Sequence, residues 1–144
     1  MKNLTKRAYS GIRQRHINEV VWNIYGYKFF QNEDCFRKLV SMAIEDLEGW
    51  NFDTIIPVKP RNSGSDIVVR LASKLADHFS CELYDCLSAS NGRTLINDLL
   101  KDRNVLIIDD VYFTGRTAQK AYSVIKNLKP GALYFYALAK STTK

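Results

Sequence analysis

Two adjacent aspartates, Asp109 and Asp110, are the residues of this sequence that point most directly to chemistry. They follow an apolar run of strand type, and open α/β sheets bind ligands at the carboxyl ends of their strands. Two neighbouring carboxylates repel each other, so they favour a site that supplies hydroxyl donors or a cation. The pair therefore predicts a binding site at the end of a strand.

The segment from Phe113 to Thr117, just after the acids, has the composition of an anion-binding turn. Gly115 lets the backbone approach an anion, and the amide groups at the start of a following helix point towards it. The hydroxyls of Thr114 and Thr117 and the guanidinium of Arg116 add donors. Acids beside a phosphate-binding turn predict a ligand with both hydroxyls and a phosphate, such as a ribose 5-phosphate.

Two common phosphate-binding motifs do not account for this segment. A P-loop requires a glycine five residues before Gly115, and that position holds Asp110. A dinucleotide fingerprint requires two glycines two residues apart, and none of the seven glycines satisfies that spacing. The remaining alternative is structural, in that Asp109 and Asp110 only end a strand and Thr114 and Gly115 only form a turn.

The elements that must position these residues alternate between strand and helix. Residues 105–108 are continuously apolar, as in a central parallel strand buried on both faces. Other strands are predicted at 54–58, 81–87 and 133–139, and helices at 65–79 and 117–127. The alternation predicts an α/β fold, a three-layer sandwich with a mainly parallel central sheet.

The amino-terminal third of the chain gives two further predictions. Residues 18–30 are rich in β-branched and aromatic side chains and are predicted to contain one or two strands. Asn32 is a good N-cap for a helix that follows with one apolar face and stops near Gly49. Trp22 and Trp50 are expected at the core or its rim.

The run from Ile107 to Thr117, with the sequence IIDDVYFTGRT, resembles the phosphoribosyl-pyrophosphate (PRPP) signature of the type I phosphoribosyltransferases. Within that family the chain is most similar to the ComF-like proteins, without their zinc ribbon. The segments 24–30, 54–58 and 131–140 fall in the corresponding order, so the similarity covers most of the chain from about Val20. It implies the type I phosphoribosyltransferase-like fold.

The resemblance also implies roles for site residues. Asp109 and Asp110 would hold the ribose hydroxyls and form the catalytic pair. The 5-phosphate would be bound by Thr114, Gly115, Arg116 and Thr117. The pyrophosphate would lie by the loop of Lys59, Pro60 and Arg61. Mg²⁺ would share the charge of the pyrophosphate and be held through the ligand, with no direct protein ligand.

Two parts of that assignment stay open at the level of the sequence. Lys59 and Arg61 follow a predicted strand, which would bring them to the carboxyl edge, but they could equally be solvated loop cations. Tyr112 and Phe113 could stack on a base or pack against the next helix.

The implied activity is transfer of phosphoribosyl from Mg²⁺–PRPP to a nitrogen acceptor with release of pyrophosphate. The position of Phe113 often carries a hydroxyl or an aspartate in this family, and phenylalanine can supply neither. That departure favours the alternative, a non-catalytic module that senses PRPP or a ribonucleotide in DNA uptake, repair or regulation. Retention of both acids favours the enzyme. Type I enzymes are often dimers, so a homodimer is a further expectation.

Charge and composition indicate the number of domains and a basic segment at the start of the chain. The 144 residues, 46% hydrophobic and 25% charged, are typical of one globular domain, predicted over residues 16–144. Residues 1–15 hold five basic residues and no acid, and this arm is either a solvated tail or a weak nucleic-acid contact.

Neither a membrane segment nor a disulfide framework is predicted. No run approaches the roughly 18 consecutive apolar residues of a membrane helix. The basic residues at the start are not followed by the apolar region of a secretory signal. The sequence therefore predicts a cytoplasmic protein without membrane contact. The three cysteines include no C-x-x-C pair, so they are expected to be small buried hydrophobes.

Overall fold

The computed structural model describes residues 17–58, 66–84, 100–112 and 115–140, with the backbone alone at 17–19, 112 and 140. The described helices are α1 (Ile17–Phe30), α2 (Glu33–Leu47), α3 (Ile67–Phe79) and α4 (Arg116–Ile125), the last continued by a 3₁₀ turn at Lys126–Leu128. The described strands are β1 (Thr54–Pro57), β2 (Glu82–Leu83), β3 (Asn104–Tyr112) and β4 (Ala132–Lys140).

These strands form one all-parallel sheet in the order β2-β1-β3-β4. The central strand β3 pairs with β1 on one side and β4 on the other, which explains why its run from Val105 to Ile108 is apolar at every position. The α/β prediction with a parallel sheet is confirmed.

Helices cover both faces of the sheet. On one face, apolar side chains of α1, α2 and α3 pack with Leu106 and Ile108 of β3. On the other face, Ala118, Ala121 and Ile125 of α4 pack with Val105 and Ile107. The result is the predicted three-layer sandwich, in which β3 lies between two cores.

The predicted start and stop of α2 are confirmed. The side chain of Asn32 accepts hydrogen bonds from the backbone N–H groups of Asp34 and Cys35 at 2.9 and 3.2 Å. Such an N-cap contributes about 0.5–2 kcal/mol, because it satisfies amides that have no partner within the helix. The helix ends at Leu47, just before Gly49, whose φ of +84° suits glycine.

The prediction of strands within residues 18–30 is wrong, since this segment is the helix α1. Val20, Ile24 and Tyr27, spaced by four and three residues, form a buried face against the core. Gly26 allows α1 to approach α2 closely, because a Cβ there would lie 2.5 Å from the Sγ of Cys35. Tertiary packing outweighs the strand propensity of β-branched and aromatic residues.

Other expectations need smaller corrections. Trp22 is 83% exposed and belongs to neither core nor rim, whereas Trp50 is partly buried against Tyr134. Cys35 and Cys81 are free and only half-buried. Cys86 and the end of the strand predicted at 81–87 lie outside the described residues.

None of the helices in the described part of the chain combines the length and the apolar character needed to span a bilayer.

Candidate functional site

The two acids lie in the part of β3 that extends beyond the end of the neighbouring strand β1. In the described residues the register with β1 runs to Pro57 opposite Ile108, and the N–H of Val58 donates a hydrogen bond to the carbonyl of Ile108 at 2.9 Å. Pairing with β4 continues through Asp109 to Tyr112. Asp109 and Asp110 therefore lie inside a paired strand on one side and beyond the end of β1 on the other. Both side chains are half-buried.

This edge is also the point at which the chain reverses its direction of travel across the sheet. From β1 the chain passes through α3 to β2, on one side of β1. From β3 it passes through α4 to β4, on the opposite side. Ligands of open α/β sheets bind in the crevice outside the carboxyl ends of two strands that diverge in this way. The acids of β3 stand at that crevice.

Each acid is held by its own backbone, and Asp110 also forms an ion pair. The N–H of Asp110 donates to Oδ1 of Asp109, and the N–H of Val111 donates to Oδ1 of Asp110, both at 2.8 Å. The Nζ of Lys28, in the last turn of α1, donates to Oδ2 of Asp110 at 2.6 Å. These side chains are 29% and 19% exposed, so the pair is partly open to a ligand.

Burial is the main cause of a strong rise in the pKa of Asp109. Together with the neighbouring charge of Asp110, it raises the pKa of Asp109 to about 8. In the ligand-free protein at neutral pH, Asp109 is therefore protonated and can donate a hydrogen bond. An acceptor and a donor side by side suit a ligand with two adjacent hydroxyl groups.

This shift predicts a pH dependence of stability that depends on Asp109. The unfolded chain loses the proton at a pKa of about 3.9, whereas the folded protein keeps it until about pH 8. The contribution of Asp109 to the free energy of unfolding is complete below the pKa that the group has in the unfolded chain. It falls by up to about 1.4 kcal/mol per pH unit as the pH rises towards 8. Thermal unfolding at several pH values should show a flatter profile for Asp109→Asn than for the parent. Parallel profiles of the two proteins would contradict the shift.

The helix that follows the acids starts at a glycine. Gly115 is the N-cap residue of α4 and has φ +87° and ψ 0°, a left-handed conformation that glycine adopts without strain. Its carbonyl accepts the first helical hydrogen bond, from the N–H of Gln119 at 2.8 Å. Arg116 and Thr117 are exposed in the first turn, which holds no acid. An N-terminus of this kind attracts anions.

The last turn of α1 is fixed by a second set of polar contacts. The hydroxyl of Tyr27 donates to Oδ1 of Asp66 at 2.6 Å, and Nη1 of Arg70 donates to the Tyr27 oxygen at 2.9 Å. Arg70 also donates two hydrogen bonds to Glu33, which lowers the pKa of that carboxyl, and its guanidinium lies 4.2 Å from the centre of the Phe36 ring. This network joins α1, α2 and α3, and so positions Lys28 at the acid pair.

The structure places some predicted site residues and not others. Asp109, Asp110, Gly115, Arg116 and Thr117 lie in and just after β3, at the carboxyl edge of the sheet. The residues that lie outside the described part of the chain are Lys59, Pro60, Arg61, Phe113 and Thr114, together with the arm at 1–15 and the side chain of Tyr112.

Lys28 and Tyr27 were not predicted as site residues. The helical spacing of Val20, Ile24 and Tyr27 could have indicated them, because these three residues form one buried face. Lys28, the next residue in the helix, then lies off that face. Among the described residues, no group of three or more histidine, cysteine or acidic side chains could hold a metal ion.

Solved structures of phosphoribosyltransferases share this architecture. An adenine phosphoribosyltransferase aligns with a TM-score of 0.60 and 18% identity over 78% of this chain and 74% of that one. A purine phosphoribosyltransferase from Pyrococcus horikoshii Ot3 aligns with a TM-score of 0.53 and 25% identity, over 76% of each chain. An orotate phosphoribosyltransferase from Aeropyrum pernix aligns with a TM-score of 0.54 and 15% identity, over 77% of this chain and 74% of that one.

The scan of protein-family models and the search of curated proteins gave no match. The structural likeness shows the type I phosphoribosyltransferase fold that the resemblance implied. The ComF-like subtype stays a prediction.

Proposed function

We propose that this protein is a phosphoribosyltransferase that binds Mg²⁺–PRPP at the crevice between β1 and β3 and transfers the phosphoribosyl group to a nitrogen acceptor. The observation that carries the proposal is the pair Asp109 and Asp110 at the diverging strands, followed five residues after Asp110 by Gly115 at the start of α4. The similarity to solved phosphoribosyltransferases supports the same activity. The fold alone does not establish it, because function has to be argued from a site.

The acid pair is suited to the ribose ring. Asp110 is held as an acceptor by Lys28, and Asp109 carries a proton in the ligand-free form. Two ribose hydroxyls could donate to one carboxyl and accept from the other. Because the backbone amides already hold both carboxyl groups, little ordering is left to occur on binding.

The start of α4 is suited to the 5-phosphate. Gly115 has no side chain to obstruct an approaching anion, and the amides of the first turn point out of the helix end. Arg116 and Thr117 add a cation and a hydroxyl in that turn. Thr114 belongs to the proposed phosphate contacts through its place in the sequence, as do Lys59, Pro60 and Arg61 to the pyrophosphate contacts.

In the proposed reaction the bond between C1 of PRPP and the pyrophosphate oxygen breaks, and the pyrophosphate leaves with the electron pair. The lone pair of the acceptor nitrogen forms the new bond to C1, and the proton of the acceptor passes to solvent. The residues of the chain bind and orient the sugar phosphate, so that C1 is presented to the acceptor.

Mg²⁺ fits this site as an ion that binds together with PRPP. It commonly keeps water ligands and binds through substrate phosphates and few carboxylates. When bound, the ion neutralises charge on the leaving pyrophosphate.

Lys28 compensates the negative charge that the acid pair would otherwise present to an anionic ligand. We expect Lys28→Met, which keeps most of the unbranched side chain and removes the charge, to weaken Mg²⁺–PRPP binding about tenfold at low salt, or about 1.4 kcal/mol. The loss should shrink at high salt, since the interaction is screened. Calorimetric titration at two salt concentrations measures both effects.

The control for this prediction is Lys74→Met, which removes an exposed lysine of α3. Its affinity for PRPP should equal that of the parent. An unchanged affinity in Lys28→Met would remove Lys28 from the ligand site without affecting the rest of the proposal.

The proposed function is tested by pyrophosphate release from PRPP in the presence of Mg²⁺ and a panel of nucleobases. Release that depends on one base supports the enzyme. Tight PRPP binding without release for any base would contradict transferase activity and favour the sensing module, in keeping with Phe113. No binding of PRPP would contradict both.

A further inference from the structure

The exposed side of α4, with the turn that follows it, carries positive charge and no acid. Residues 111–144 include six basic residues and neither aspartate nor glutamate, whereas residues 16–110 hold ten basic and fifteen acidic ones. Beyond the first turn, the exposed residues of α4 and its 3₁₀ turn are Gln119, Lys120, Ser123, Lys126 and Asn127. We use the name cationic row for the exposed basic residues from the start of α4 to the end of that turn, which are Arg116, Lys120, Lys126 and Lys129.

The exposed sides of α2 and α3 differ from the cationic row, because they mix charges of both signs. On α2, Arg37 forms an ion pair with Asp34, and on α3 the exposed Lys74 and Asp77 lie three residues apart. In the described part of the chain, by contrast, no carboxylate pairs with the three lysines of the row. A surface of one sign attracts a partner of the opposite sign, so the row predicts a polyanion.

The cationic row starts at the proposed phosphate site and runs away from it. Arg116 is the first residue of α4, next to Gly115. At a rise of 1.5 Å per residue, Lys120 and Lys126 lie about 6 and about 15 Å further along the helix. The phosphates of a nucleoside triphosphate are joined through single oxygen atoms, so they form a chain much shorter than the row. The length of the row therefore favours a polymer of phosphates.

We propose that the site binds the 3′-terminal nucleotide of a single-stranded RNA, with the preceding backbone along the cationic row, an inference that rests on the proposed sugar-phosphate site. The two adjacent hydroxyls that suit Asp109 and Asp110 are both free only at the 3′ end of RNA, and DNA has no 2′ hydroxyl. The 5′-phosphate of that nucleotide would lie at Gly115. The strand can continue past Arg116 and Thr117, because both are exposed.

The side chains around the cationic row favour RNA over an acidic protein. Specific protein interfaces contain buried aromatic or aliphatic residues at their centre, and none of the exposed residues between Arg116 and Lys129 is apolar. Contacts of lysine with phosphates need no such centre, and they position a strand without reading its sequence. The ring of Tyr122 beside the row is half-buried, and the Nζ of Lys126 lies 5.6 Å from its centre.

Fluorescence anisotropy of the full chain with an oligouridylate of about ten nucleotides, labelled at its 5′ end, tests the proposal. We expect Mg²⁺–PRPP to displace the RNA, because both occupy the acid pair. Binding should weaken about tenfold when the 3′ end carries a phosphate or when oligothymidylate replaces the RNA, since each change removes one of the two free hydroxyls or both.

Two lysine substitutions test the cationic row separately from the ribose site. Lys120→Gln with Lys126→Gln should weaken RNA binding about tenfold at low salt and lower the slope of log affinity against log salt by about 1.4, with the affinity for PRPP unchanged. The matched control is Lys38→Gln with Lys74→Gln, which removes two exposed lysines of α2 and α3 and should bind RNA as the parent does.

The other outcomes overturn the proposal in distinguishable ways. RNA binding that is indifferent to the 3′ end, to Mg²⁺–PRPP and to the two α4 lysines overturns it in favour of a non-specific contact, such as one through residues 1–15. Polyglutamate that binds more tightly than RNA through the same lysines overturns it in favour of an acidic protein. Binding of PRPP without binding of RNA overturns this inference alone, and binding of neither ligand overturns the proposed function as well.

Discussion

Replacement of both acids, Asp109→Asn with Asp110→Asn, is expected to weaken Mg²⁺–PRPP binding by about one and a half to three orders of magnitude. Asp110 is a charged acceptor, and hydrogen bonds to charged groups contribute about 1.5–3 kcal/mol, against about 1 kcal/mol for neutral ones. Asparagine keeps the volume of each side chain and removes the charge. Calorimetric titration of parent and double variant with Mg²⁺–PRPP measures the loss.

Folding should not suffer in the double variant. The burial that raises the pKa of Asp109 makes its ionised form costly, and an asparagine at this position has no such cost, which offsets the loss of the ion pair between Asp110 and Lys28. We expect the free energy of unfolding to be unchanged or slightly higher. The matched control is Asp102→Asn, an exposed aspartate just before β3 at the opposite end of that strand, whose φ of +62° asparagine tolerates. If the double variant binds PRPP as tightly as the parent, or unfolds, the ribose site is not at this pair.

Gly115→Ala is expected to weaken the binding of ribose 5-phosphate and PRPP about 10- to 100-fold, the loss of about one charge-assisted amide contact. At φ +87° a Cβ is strained by about 1–2 kcal/mol, so the backbone that leads into α4 must shift or bear the strain. The new methyl group also takes space at the end of the helix. A ligand without phosphate should lose little affinity.

Gly49→Ala separates the effect on the ligand from the effect on the backbone. Gly49 has nearly the same φ, +84°, follows α2, and has open space where an alanine Cβ would lie. Both alanine variants should lose about 1–2 kcal/mol of stability, and only Gly115→Ala should lose affinity for the phosphate. Equal affinities in the two variants would exclude the start of α4 from the phosphate site.

The sequence predicts the fold best where one pattern dominates. The apolar run at 105–108 is typical of a strand buried on both faces, and Asn32 combines a capping side chain with a helical apolar face after it. The prediction for residues 18–30 was wrong because the β-branched and aromatic residues there favour a strand locally. The contacts that stabilise this segment as a helix come from α2 and the sheet. Its propensity and its periodicity disagreed, and packing followed the periodicity.

The candidate site could be predicted only in part for a similar reason. Asp109, Asp110 and Gly115 stand within seven residues of one another, so their grouping is visible in the sequence. Lys28 meets Asp110 across 82 positions, and no local pattern predicts such a contact. The shifted pKa of Asp109 depends on its burial in the folded sheet, which cannot be predicted without the strand order.

The central claim, that a sugar phosphate binds at the edge of the sheet between β1 and β3, is tested most directly by an NMR titration of the ¹⁵N-labelled protein with Mg²⁺–PRPP. The account predicts saturable shifts that are largest for the amides of Asp109 to Tyr112 and of Gly115 to Thr117, with a smaller change at Val58. Saturable shifts concentrated elsewhere, on α2 or at the amino end of the strands, or no shifts at all, would contradict it.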